Sequence, residues 1–265
     1  MKEYYLESRG IYYRTSEFEP GRKTLVFVHG LSGSSSAWLK YESLFENEYN
    51  VITFDLRGHG QSAKPKNYED YAMSLFADDL EGLVKHLGLE GFVLISHSFG
   101  TLIALEYLSK NQESVDRIVF LSPDFAVKKR LVSQLIRPLL LATSLFRLMP
   151  FKPAAGKHID YERYPGSGDW NIPRMIADVG NTTMRVYLYC TRQTYVPDWG
   201  DFLPKIIKPT LIIHGRKDSI FPVRNSLVMD QKIKDTKLVI LPEADHILVL
   251  NNFAEVSQVI KGFVG

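Results

Sequence analysis

Short unbroken apolar runs alternate along this chain with longer stretches whose apolar residues recur at helical spacing. Thr24–His29, Tyr49–Phe54, Phe92–Ile95, Val115–Leu121, Thr210–Gly215 and Lys237–Leu241 are too short for helices, and each reads as a strand. Thr24–His29, an unbroken apolar run ending at Gly30, reads as a strand buried on both faces. Ala37–Phe45, Tyr71–Leu87, Thr101–Lys110, Val223–Lys232 and Phe253–Phe263 read as helices. In the second of these, Leu75, Phe76, Leu80, Leu83, Val84 and Leu87 share one face, and Gly88 stops it. Tyr4–Leu6 and Ile11–Thr15 add a strand pair around a Ser8-Arg9-Gly10 turn. Strand and helix in alternation imply parallel βαβ units and a sheet covered on both faces. The rhythm breaks after Pro123 and resumes at Thr210. The stretch between holds a basic amphipathic run, Val127–Met149, and a Gly-, Pro- and Tyr-rich loop, Tyr161–Pro173. The expected division is a core of residues 1–123 and 205–265 with an insertion at 124–204.

Composition narrows the function little. A chain of 265 residues suits one large domain with an insertion. A formal net charge of +2 gives no argument for nucleic acid. Cys190 is the lone cysteine, so no intramolecular disulfide forms, which is compatible with a reducing compartment. Met1–Glu7 carries charges where a signal peptide would need an apolar core, and no apolar run reaches membrane-spanning length. The expected address is cytoplasmic. No histidine pair has metal-ligand spacing with a carboxylate, and the Gly30–Gly33 loop lacks a P-loop lysine and a G-x-G-x-x-G, so neither a metal nor a nucleotide is expected.

The informative segment is Ser96-His97-Ser98-Phe99-Gly100, between a strand and a helix. Small residues flank the central serine two positions away on each side, as a sharp turn requires. The following helix points backbone N–H groups at whatever the serine attacks. A serine hydroxyl is a weak nucleophile unless a base sits beside it and an acid orients the base. Asp218 and His246 each fall just past the end of a predicted strand, on the sheet edge where Ser98 lies. Asp124, after the preceding strand, is the rival acid.

These residues resemble the α/β-hydrolase superfamily. Ser96–Gly100 is similar to its nucleophile elbow, G-x-S-x-G, with Ser96 in place of the first glycine. The order Ser98, Asp218, His246 is similar to the family's order of serine, acid and histidine. His29-Gly30-Leu31-Ser32-Gly33-Ser34 resembles its His-Gly loop, and Asp55–Ser62 a loop that supports the site. The likeness covers nearly the whole chain outside the insertion. It implies an α/β fold, with a mostly parallel sheet of about eight strands and an inserted, mainly helical cap. It implies ester hydrolysis through an acyl-enzyme on Ser98, of esterase or monoacylglycerol-lipase type. His246 is then the general base, Asp218 its orienting carboxylate, and the Leu31 and Phe99 N–H groups the oxyanion hole. No cofactor is implied.

The partner this implies is a small-molecule ester. Phe125, Phe146, Met149, Trp170, Met175 and Trp199 suggest an apolar roof and a medium or long acyl chain. Lys128–Leu141 reads as a cap helix, with peripheral membrane contact the rival reading. Thioester, amide and C–C hydrolysis use the same three residues, and a slowly turning-over small-molecule receptor would share them too. The oligomeric state is not legible. His29 and His59 read as loop-network residues, His97 as packing beside the strand and His86 as solvated. His158 has no role assigned, and Cys190 reads as a small buried apolar residue.

Overall fold

The apolar runs become one eight-stranded sheet in the computed structural model, which describes residues 1–127, 151, 153, 156–166 and 168–265. In chain order the strands are β1 (Lys2–Leu6), β2 (Ile11–Thr15), β3 (Thr24–Val28), β4 (Asn50–Phe54), β5 (Phe92–His97), β6 (Val115–Leu121), β7 (Thr210–Gly215) and β8 (Thr236–Leu241). Their spatial order is β1-β2-β4-β3-β5-β6-β7-β8. The pairs β1·β2 and β2·β4 are antiparallel, and the five from β4·β3 to β7·β8 are parallel. The described helices are α1 (Leu39–Phe45), α2 (Met73–His86), α3 (Phe99–Asn111), α4 (Ile172–Thr182), α5 (Met184–Thr194), α6 (Val223–Lys232), α7 (Leu248–Asn251) and α8 (Phe253–Val264).

The pleat sends alternate residues to opposite faces, and both faces are apolar. Val26, Val28, Leu94, Ile118, Phe120 and Ile212 join one core cluster, with Phe76, Leu80 and Leu102 from α2 and α3. Leu25, Phe27, Val93, Ile95, Val119 and Leu211 join the other, with Tyr41 from α1 and Val256 and Ile260 from α8. This double burial is why the strands read as continuous apolar runs. Helix α2 starts later than its pattern predicts, because Ala72 is extended (φ −58°, ψ 142°) and separates it from a tight turn at Glu69–Tyr71. Helix α7 is too short to leave a period in the sequence.

Between β6 and β7 the described residues hold α4, α5 and two short 3₁₀ turns, and no strand among them. The predicted amphipathic run Val127–Met149 lies, beyond Val127, outside the described residues. Asn171 starts α4 by accepting the Arg174 N–H on its side chain at 2.8 Å. Helix α5 packs its buried face, Val186, Tyr189 and Cys190, into the first core cluster. His158, which carries no role legible from its neighbours in the chain, ties this segment to the core. Its Nε2 lies 3.1 Å from the Tyr12 hydroxyl, and its Nδ1 accepts from Arg14 and Ser36 at 3.3 Å each.

The elbow requires close approach of α3 to β3. A Cβ on Gly100 would stand 2.7 Å from the His29 carbonyl oxygen and 2.8 Å from that of Val28, both of them backbone. Gly100→Ala should therefore cost about 1–3 kcal/mol of stability, seen as a lower urea midpoint than wild type.

Candidate active site

Strand β5 ends at His97, and the chain then turns so sharply that Ser98 takes φ 52°, ψ −118°. A non-glycine residue there is strained, and such strain concentrates at functional sites. The strain is held by packing around it. The Ser98 N–H donates to the Leu121 carbonyl at 3.0 Å, while its own carbonyl accepts the Thr101 N–H at 2.8 Å and hydroxyl at 2.6 Å. Gly30 leaves room on the other side, since a Cβ there would lie 3.2 Å from that of Ser98. Ser98 is only 7% exposed, because the loop after β3 packs against it. Ser96 lies within β5, paired with Val28 and Phe120. Strand backbone accepts any L residue, so the position does not need the glycine of the family pattern.

Ser98, His246 and Asp218 form one hydrogen-bonded chain. The Ser98 hydroxyl lies 2.7 Å from His246 Nε2, and His246 Nδ1 lies 2.7 Å from Asp218 Oδ2. A carboxylate only accepts, so Nδ1 carries the proton and Nε2 is the acceptor facing Ser98. Asp218 Oδ1 accepts the N–H groups of Ile220 and Phe221 at 2.9 and 2.7 Å. Burial opposes its ionisation, but bonds from His214 and His246 outweigh that and hold its carboxyl well below the usual carboxylate range. Asp124, the rival acid, is buried and accepts the Phe125 and Ala126 N–H groups at 2.6 and 2.9 Å.

The structure adds two histidines that the sequence does not mark as partners of these groups. His214 Nε2 lies 3.0 Å from both Asp218 Oδ2 and the Phe221 carbonyl, so it donates, while its Nδ1 meets the Ser226 hydroxyl at 2.6 Å. A histidine at the end of an apolar strand leaves no sequence signal of that role. His97 does pack beside the strand, and its Nε2 also donates to the His246 carbonyl at 2.9 Å.

Phe99 follows Ser98 in the chain, and Leu31 follows Gly30 in the close-packed loop, where an added Cβ on Gly30 would lie 3.2 Å from that of Ser98. Phe99 opens α3, where backbone N–H groups have no partner within the helix. The loop is braced from behind. Asp55 accepts the Ser35 N–H on one oxygen and the Gln61 N–H on the other, both at 2.7 Å. His29 Nε2 accepts the Leu56 N–H at 3.0 Å, and its Nδ1 donates to the Gly30 carbonyl at 2.8 Å. His59 Nδ1 donates to the Arg57 carbonyl at 3.0 Å, so both histidines bond within the loops beside the site. His86, read as solvated, is exposed but also lies 3.2 Å from the Tyr13 hydroxyl.

The segment between β6 and β7 touches this site at several points. Thr182 donates to the Ser32 carbonyl at 3.1 Å, and Asp169 accepts the His246 N–H at 2.7 Å. Asp169 carries no motif, and its role depends on a fold contact across 77 positions of sequence. Trp170 is not part of an apolar roof: it is 64% exposed, because its indole N–H turns to the Ser219 hydroxyl at 2.9 Å and lays the ring at the surface. Phe146 and Met149 lie outside the described residues. A cavity of about 480 Å³ opens where loop 160–166 faces residues 36–40 and 249–251, with Leu39, Pro165, Val249 and Leu250 among its lining. Tyr161 also lines it and donates to Asp178 at 2.8 Å; burial raises that carboxyl to about 6.

Comparison with known proteins gives one family. The model of the alpha/beta hydrolase fold matches residues 23–253. A protein of Synechocystis sp., provisionally named a non-heme chloroperoxidase, is 28% identical over 260 residues, covering 91% of this chain and 90% of its own. Two solved structures show the same fold. MGS-M2, an alpha/beta hydrolase enzyme from a Medee basin deep-sea metagenome library, has a TM-score of 0.76 at 21% identity, covering 96% of this chain and 94% of its own. A thermophilic esterase from Thermogutta terrifontis has a TM-score of 0.69 at 23% identity, covering 96% and 92%. No helix among the described residues is long and apolar enough to cross a membrane.

Burial lowers His29 to about 4 and His59 and His97 to about 3, so these rings are neutral in the folded chain. Each takes up a proton on unfolding once the pH falls below about 6.5. Their contribution to stability is therefore complete above that value and is lost as pH falls toward 3–4. His59→Gln should flatten the acid-side loss by about one proton, or about 1.4 kcal/mol per pH unit. Urea unfolding of both proteins between pH 7 and 4.5 measures the difference.

Proposed function

The chain belongs to the α/β-hydrolase fold family, and from that premise we propose that it is a serine hydrolase that cleaves a carboxylic ester through an acyl-enzyme on Ser98. The observation that carries this reading is the continuous chain from Ser98 through His246 to Asp218, with both contacts at 2.7 Å. His246 Nε2 takes the hydroxyl proton as Ser98 Oγ attacks the ester carbonyl carbon. The resulting oxyanion is received by the Leu31 and Phe99 N–H groups. Imidazolium then gives its proton to the departing alkoxide, leaving the acyl group on Oγ. Water, deprotonated by His246, attacks that acyl carbon; as the second tetrahedral intermediate collapses, the bond to Ser98 Oγ breaks, the imidazolium returns its proton to Oγ and the carboxylic acid is released. Asp218 keeps the proton on Nδ1 throughout and stabilises the imidazolium.

In this reading the segment 124–204 serves as the cap, a role supported by the bonds of Asp169 to the His246 N–H and of Thr182 to the Ser32 carbonyl. An apolar arm on the substrate is part of this reading, since Phe125, Met175 and Trp199 supply apolar bulk in the same segment. An aspartate at position 98 would instead suit dehalogenases and epoxide hydrolases, and this chain has serine.

Activity on p-nitrophenyl esters of increasing acyl length tests the reading. Turnover should rise toward medium or long chains, and Ser98→Ala should lose at least about 10³-fold in kcat. A mutant rate near wild type would remove Ser98 as nucleophile, and a maximum at acetate would remove the apolar arm. Asp218→Asn should cost far more kcat than Asp124→Asn; the reverse ranking would move the acid to Asp124.

A further inference from the structure

A covering segment need only lie over a site, but Asp169 reaches into the loops that build this one. It is 8% exposed, and its carboxylate spans two loops. Oδ1 accepts the backbone N–H of His246 at 2.7 Å. Oδ2 accepts the N–H and the hydroxyl of Ser219 at 2.9 and 2.7 Å. Ser219 is the residue after Asp218. One side chain therefore holds the main chain at the base and, at the same time, the main chain next to the acid.

Asp169 is itself held in place. Arg174 Nη2 donates to its carbonyl at 3.0 Å from the first turn of α4. The Trp170 indole donates to the same Ser219 hydroxyl that donates to Asp169, so that hydroxyl gives one bond and takes one. From the opposite side, His97 holds the His246 carbonyl. The peptide groups on both sides of His246 are thus fixed, and the ring can serve Asp218 and Ser98 together only while they stay fixed.

We propose that Asp169 is a positioning residue for the Ser98–His246–Asp218 chain, acting from the inserted segment by setting the separation between the acid-bearing and base-bearing loops; this rests on the hydrolase reading above. Only a side chain that accepts on both oxygens can take all these donors. Asparagine would keep one arm and turn an N–H toward the Ser219 N–H. Glutamate would add a methylene in a buried space. A displacement of about 1 Å in such a chain costs on the order of 100-fold in rate.

The test uses the full chain as wild type, Asp169→Asn, Asp169→Ala and Ser219→Ala. With a p-nitrophenyl ester, Asp169→Asn should lose about 10- to 100-fold in kcat with KM within about threefold. Titration with a serine-directed phosphonate counts competent sites, so the loss is read per site. Proton NMR of the His246 Nδ1–H reads the same geometry without turnover, and Asp169→Asn should displace that resonance. A kcat per competent site within twofold of wild type, with the resonance unmoved, overturns the proposal. If Asp169→Ala does not fold, Asp169→Asn and Ser219→Ala decide, since each removes only part of the clamp. Wild type inactive on esters, with the resonance displaced in Asp169→Asn, would reject the hydrolase reading and keep the clamp. Wild type active, with Asp169→Asn unchanged, would reject the clamp alone.

Discussion

The left-handed backbone at Ser98 is the constraint on which the rest of this molecule depends. A serine at φ 52° is not a conformation the residue chooses, so its surroundings must impose it. Strand β5, between β3 and β6 and buried on both faces, supplies a rigid lever. Helix α3 supplies the other, and it can approach only because Gly100 has no side chain to meet the Val28 and His29 carbonyls. Gly30 plays the same part across the turn. The strain at one residue is thus spread over two core clusters, and the hydroxyl is delivered to His246 without a search.

Charge is managed with comparable economy. The carboxylate in line with Ser98 and His246, Asp218, is kept ionised by two histidine donors and accepts two backbone N–H groups. Elsewhere, burial keeps His29, His59 and His97 neutral. The same burial that keeps them silent makes them a liability in acid, because unfolding releases their suppressed basicity. Local pKa control and acid sensitivity have one cause.

The sequence made legible whatever depends on local pattern. Both faces of the central sheet are buried, and so Thr24–Val28 or Phe92–Ile95 announced themselves as continuous apolar runs. Ser98, Asp218 and His246 could be brought together on paper because parallel strands place their ends on one edge. What stayed hidden is what depends on long-range closure. His214 lies inside an apolar strand and Asp169 in a Gly-rich loop, and neither has a spacing that points to a partner. Trp170 was misjudged for a related reason: one hydrogen bond to Ser219 decides whether an indole faces in or out, and composition cannot see it. The short helix Leu248–Asn251 has no full period to detect.

The contact between Thr182 and the Ser32 carbonyl bears on how such a protein could change over time. Insertions between β6 and β7 look like the natural place to exchange parts, since they leave the sheet untouched. Here Asp169 and Trp170, just before α4, are bonded to the loops bearing His246 and Ser219, and Thr182, its last residue, is bonded to the loop bearing Leu31. The insertion is therefore not an interchangeable module. A transplanted segment would inherit the pocket but not the anchorage, and the sheet beneath it would keep its fold while losing its register at the reacting atoms. New substrate preferences in this scaffold should come more readily from single side chains within the segment than from wholesale replacement of it.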